Sequence, residues 1–109
     1  YVKNDNAINK PDSAFFCYQR LLEVNPNYKM VYINLANYYL TYKKDINYAM
    51  ELYRKAIEID NTYGMAYYGL GILLERQGKN EEAKQNLIKA ARFGYRDAQK
   101  LLNSRNISY

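Results

Sequence analysis

Histidine is missing from this chain of 109 residues, cysteine occurs once and proline twice. With Cys17 alone and no histidine, an internal disulfide is impossible and no zinc site of the usual Cys/His kind can form. Neither a Ser–His nor a Cys–His nucleophilic pair is available. Glycine is sparse, and only Gly69 and Gly71 lie close together, so no glycine-rich loop exists to cradle a phosphate. Adjacent carboxylates such as Glu81 and Glu82 point to different faces of a helix and suit its first turn, where acids meet the positive end of the dipole. No apolar run approaches the length needed to cross a bilayer, and no signal-peptide pattern opens the chain, which leaves localisation open. These absences argue against an enzyme and against a resident metal or cofactor.

What is present is a repeat. Tyr32, Leu35, Ala36 and Tyr39 recur 35 positions later as Tyr67, Leu70, Gly71 and Leu74, while Ala49, Tyr53 and Ala56 recur 34 positions later as Ala83, Leu87 and Ala90. A period of that length marks an all-α array whose units bury their apolar faces against neighbours. Ala14, Tyr18 and Leu21 extend the register backwards. The polar stretch before them is too short to supply a matching first helix, so the chain is expected to open in mid-unit as an excerpt of a longer protein.

About six helices are expected. Residues 1–11 form a polar N-terminal segment, a loop from a truncated first repeat, and 12–27 hold the second helix of a partial repeat. That helix is capped by Asp12, carries Ala14, Tyr18, Leu21 and Leu22 inward, and stops at Asn25-Pro26. Residues 28–62 make one full repeat, with Asp45 capping its second helix, and 63–95 make another. In that unit Asn61 or Thr62 starts the first helix, Gly78 provides a left-handed stop, Asn80 caps the second helix and Gly94 ends it. Gly69 and Gly71, inside a helical pattern, allow helices to approach closely. Residues 96–109 supply a capping helix with Ala98, Leu101 and Leu102, followed by a frayed tail.

The large-aromatic, Leu, small, aromatic series on each first helix, with the Ala, aromatic, Ala series on each second helix, resembles the tetratricopeptide repeat family. Its closing proline survives only as Pro26. Two departures stand out: the turn after Tyr42 holds one residue more than the usual spacing, and KAARFGYRDAQKLL resembles the Sel1-like variant in the C-terminal unit. The resemblance implies an α-solenoid of antiparallel helix pairs wound into a right-handed superhelix, with the first helices lining a concave groove, and a non-catalytic scaffold that binds a peptide or helix of a partner protein there.

If Tyr32 and Leu35 face the paired helix, then Met30, Ile33, Asn34, Asn37 and Leu40 line the groove, with Met65, Tyr68, Ile72 and Glu75 on the next first helix. Methionine offers adaptable apolar contacts there, and Asn34 and Asn37 can clamp a peptide backbone. Family members that grip a chaperone's terminal carboxylate use Lys and Asn at set positions; Ile33 and Gly69 replace two of these and Asn37 alone matches, which argues against that specificity. The competing reading of these side chains is that they pack on neighbouring repeats.

Other features have plain explanations. Most of the 14 tyrosines occupy repeat core positions, with Tyr68 and Tyr42 the better surface candidates. A net charge of +5 and a pI near 9.2 admit a rival function, a basic nucleic-acid or anionic-surface binder working from the C-terminal half. The basic residues Arg76, Lys79, Lys84, Lys89, Arg92, Arg96, Lys100 and Arg105 carry no interleaved base-stacking aromatics, however, so nucleic acid is disfavoured as a partner. Cys17 reads as a small packing residue. Phe15 and Phe16 can be the surface through which a homodimer forms in place of an absent neighbour.

Overall fold

The computed structural model describes residues 11–109, so the expectation of a loop over the residues before Pro11 and the Asp12 side-chain cap lie outside it. Among the described residues there are six α-helices and no strand: α1 (Pro11–Val24), α2 (Lys29–Tyr38), α3 (Ile46–Ile59), α4 (Gly64–Arg76), α5 (Asn80–Arg92) and α6 (Arg96–Ser104). Every substantial helix-to-helix contact joins consecutive elements, as in a stack that grows in one direction. The radius of gyration is 15.6 Å with extents of 55 × 25 × 22 Å, longer than a compact chain of this size, for which about 13 Å is usual.

Small side chains sit where helices cross. Ala36, Ala49, Ala56, Ala66, Ala83, Ala90 and Ala98 have no exposed surface, and Leu73, Leu74, Leu87 and Leu102 fill the gaps beside them. The tyrosine at the start of each repeat signature has a specific task. The Tyr32 hydroxyl donates to the Pro26 carbonyl at 2.9 Å, and its repeat-mate Tyr67 donates to the Asn61 carbonyl at the same distance. Each phenol thus ties its first helix to the turn that precedes it.

The turns explain where helices stop. Gly78 (φ 81°), Gly94 (φ 90°) and Asn106 (φ 58°) all adopt the left-handed conformation, and in each case the following amide bonds back into the last helical turn. Lys79 N–H reaches the Leu74 carbonyl at 3.0 Å, Tyr95 N–H the Ala90 carbonyl at 2.9 Å, and Ile107 N–H the Leu102 carbonyl at 2.9 Å. The third of these corrects the expectation of a frayed tail: Ile107 packs on the C-terminal core, and Arg92 Nε donates to the Tyr109 carbonyl at 3.0 Å.

The extra residue after Tyr42 is absorbed by a π-helical turn, Tyr39–Lys43, closed by Lys44 in the left-handed region (φ 55°). The amide of Asp45 bonds to the Tyr39 carbonyl at 3.1 Å, whereas in the next repeat Lys79 bonds to Leu74, one residue less of chain. That single residue accounts for the change of repeat offset from 35 to 34. Asp45 then caps α3 as expected, its Oδ1 accepting from Tyr48 N–H at 3.1 Å.

Four local expectations fail. Asn80 is the first residue of α5 rather than its cap; Lys79 holds the cap position without a side-chain bond, and Glu81 and Glu82 supply the favourable first-turn charge. α4 starts at Gly64, behind Tyr63, rather than at Asn61 or Thr62. Leu21 is 42% exposed, because α1 turns Phe15, Tyr18 and Leu22 toward its neighbours instead. Cys17 is exposed and does not pack. The two phenylalanines part company: Phe15 stacks on Tyr38 with centroids 5.2 Å apart, while Phe16 is largely exposed.

Asp60 closes the loop between α3 and α4. Its Oδ2 accepts from Lys29 Nζ at 2.5 Å, and its Oδ1 accepts from the Thr62 amide at 3.0 Å and hydroxyl at 2.7 Å. The Lys29 bond first, then Thr62, holds this carboxyl down at about 2 against an ordinary 3.8. A depressed carboxyl stabilises the fold fully above its unfolded value and loses that contribution as pH falls through the folded one. Urea midpoints of Asp60→Asn and the parent should therefore differ most above about pH 4 and converge toward about pH 2. A gap that stays constant across that range contradicts this role.

Candidate functional site

α2 and α4, the first helices of consecutive pairs, both line one hollow, to which α3 contributes Tyr53 and the start of α6 contributes Tyr95. Its volume is about 270 Å³, lined by Ile33, Asn37, Leu40, Tyr53, Met65, Tyr68, Gly69, Ile72, Leu73, Arg76 and Tyr95. Six of the residues expected from the sequence therefore meet around one cavity: Ile33, Asn37, Leu40, Met65, Tyr68 and Ile72. Ile33 forms floor rather than rim, being only 5% exposed.

Three expected residues stand apart from it. Met30 is 54% exposed one turn before Ile33, and Asn34 is partly exposed on the same helix, yet neither lines the cavity. Glu75 is engaged by the forked guanidinium of Arg105 at the end of α6.

The polar equipment of the hollow comes from a residue assigned to the core. Tyr53, on α3, reaches past α4 so that its hydroxyl donates to Asn37 Oδ1 at 3.1 Å. It can do so because position 69 is glycine: a Cβ there would stand 2.5 Å from Tyr53 Cζ. The bond holds the Asn37 amide in one orientation, with its NH2 as the donor on offer. Burial pushes the Tyr53 hydroxyl above its ordinary value of 10, Tyr95 adds to the rise and Arg76 opposes it. Tyr95, 5.1 Å from Tyr68 between ring centroids, is raised by burial first and then by Asp97 and Tyr68. No groove role is assigned from sequence to Tyr53, Leu73, Arg76 or Tyr95, and Gly69 is weighed only as a close helix approach and a missing clamp residue. A glycine at the position where the preceding repeat has Asn34 was the available signal that a large side chain crosses there.

A second hollow of about 380 Å³, between α1, α2 and α3, is lined by Gln19, Leu22, Glu23, Tyr32, Leu35, Tyr48 and Leu52 and shares no residue with the first. Among the described residues no group of His, Cys, Asp and Glu is arranged to hold a metal ion, and no helix is long and apolar enough to cross a membrane. Several basic residues of the C-terminal half are occupied within the fold: Lys89 lies over the Tyr67 ring at 5.6 Å, Arg92 holds the Tyr109 carbonyl, and Arg105 holds Glu75.

Comparison with known proteins agrees with this architecture. Tetratricopeptide repeat profiles match residues 31–63 and 52–85. The chain is 32% identical over 73 residues to the human mitochondrial import receptor subunit TOM70, covering 67% of this chain and 12% of that protein. It is 27% identical over 82 residues to protein bimA of Emericella nidulans (75% and 10%). Against the human protein O-mannosyl-transferase TMTC3 it is 37% identical over 67 residues (62% and 7%). The chain thus spans about a tenth of the length of these relatives. Among solved structures, YrrB, described as a TPR protein with an unusual peptide-binding site, superposes with a TM-score of 0.66 at 32% identity, over 71% of this chain and 39% of that one. The repeat signature, the stacked helix pairs and these matches agree: the chain belongs to the tetratricopeptide repeat family.

Proposed function

We propose that this array is the protein-binding part of a scaffold and holds a partner's peptide or helix in the hollow lined by α2 and α4. The observation that carries the reading is the convergence of Ile33, Leu40, Met65, Tyr68 and Ile72 on one cavity with a fixed amide, Asn37, at its edge. Apolar walls supply affinity and a few placed polar groups supply orientation, which is the usual make-up of a binding cleft. A similar fold in a protein described as having a peptide-binding site supports it. We further read the C-terminal unit as Sel1-like, on the strength of the buried Ala90-Ala91 pair and of Gln99 Nε2 donating to the Ala91 carbonyl at 2.9 Å.

Tyr68→Glu and Ile72→Glu place a carboxylate on the half-buried wall without removing a fully buried side chain. Capture of a protein partner by either should fall at least about tenfold, because central apolar contacts dominate such interfaces. Lys84→Glu, on the exposed side of α5, serves as control. Unchanged capture by both wall variants, with helical content intact by circular dichroism, removes the groove as the contact surface. A loss confined to Lys84→Glu would instead favour the basic face.

A further inference from the structure

The residues around the cavity include one cation and no anion: Arg76, the last residue of α4. Arg76 is paired with no described carboxylate, since the ion pairs among described residues join Lys29 to Asp60, Lys55 to Glu58 and Arg105 to Glu75. It lines the hollow from its exposed edge, and its charge opposes the burial-driven rise of the Tyr53 hydroxyl. Two carboxylates of neighbouring segments have partners of their own. Glu75 faces Arg105, and Asp97 lies beside Tyr95 at the edge. The Asn37 amide, held by Tyr53, adds a neutral donor on the same side.

A guanidinium beside apolar walls, with its own carboxylate missing, is complementary to an anion brought by the occupant, and such a charge-assisted bond is about twice as strong as a neutral one. The cavity itself is small, and its apolar lining of Ile33, Leu40 and Ile72 is suited to a bulky apolar side chain rather than a polar one. Resting on the reading of this hollow as a peptide site, we propose that its occupant is an acidic apolar peptide segment: one bulky apolar side chain seated on Ile33, Leu40 and Ile72, with a neighbouring aspartate or glutamate side chain facing Arg76. The source is an internal stretch of a partner protein, not a free chain end.

The test is selection from a random peptide library displayed on phage, run in parallel on the full chain, on Arg76→Gln and on Ile72→Glu. Sequences enriched on the parent should combine a large apolar residue with an acidic one close by. Arg76→Gln should keep the apolar preference and lose the acidic one. The best peptide, made with both ends blocked, should bind about tenfold more weakly when its acidic residue becomes the amide, and Arg76→Gln should abolish that difference. The tenfold advantage should also shrink with added salt, because Arg76 is exposed. Enrichment of apolar sequences without acidic residues, or an acidic preference that persists in Arg76→Gln, overturns the proposed specificity while leaving the peptide site standing. Sequences enriched equally on the parent and on Ile72→Glu overturn the groove reading itself.

Discussion

Gly71→Val is expected to lower the stability of the chain by about 3 kcal/mol. A Cβ at position 71 would meet Leu87 Cγ at 2.9 Å, Leu87 Cδ2 at 3.0 Å and the Ala83 carbonyl oxygen at 3.2 Å. Leu87 is fully buried and Ala83 contributes backbone, so neither can swing aside cheaply. Alanine brings the same Cβ contacts without valine's two further methyl groups and recovers about 1 kcal/mol of helix propensity relative to glycine, so Gly71→Ala should cost less. Coupling makes the test specific. Leu87→Ala alone should cost about 3 kcal/mol through the cavity it opens, while Gly71→Val and Leu87→Ala combined should cost less than their sum because the valine enters that cavity. Denaturant midpoints for the four proteins decide it, and strict additivity would show that the two residues do not oppose each other as described.

Leu102→Ala should cost about 3 kcal/mol as well, but its effect should be local. Leu102 has no exposed surface and joins Tyr67, Leu87, Ala90, Ala91 and Ala98 in the C-terminal core. It also accepts the Ile107 amide that closes α6. Stability in a stacked array is a sum over neighbours, so the loss should appear first as faster amide exchange in α6 and the end of α5, with α2 and α3 keeping their protection. Uniform loss across all six helices would mean that the chain unfolds as one unit.

Much of this was legible beforehand because repeat positions carry their own physics. Alanines at crossings and the leucine that fills the gap beside them leave a spacing that survives in one dimension, and from that spacing the helix pairs and the shared cavity of Ile33, Asn37, Leu40, Met65, Tyr68 and Ile72 follow. Two misses at the cavity came where a side chain acts outside its own repeat unit, while Met30 and Asn34 share the helix with Ile33 and Asn37 yet do not line it. Tyr53 sits at a core position of the pattern and is buried, yet its hydroxyl ends at the hollow, and glycine in place of a larger residue at position 69 is the one sequence trace of its passage. Glu75 occupies a groove register but is held by Arg105 from thirty positions further along, a pairing no local pattern reports. The tail lacks periodicity, and its order comes from one left-handed asparagine and a buried isoleucine rather than from a stripe.

The π-helical turn between α2 and α3 has a bearing on how such a chain tolerates change in length. Because the surplus residue is wound into the Tyr39–Lys43 coil and closed off by Asp45, Ala49, Tyr53 and Ala56 remain in phase with Ala83, Leu87 and Ala90 downstream. Insertion there is a local detour and not a frame slip, so these molecules can vary in turn length while every later unit keeps its place on the ruler.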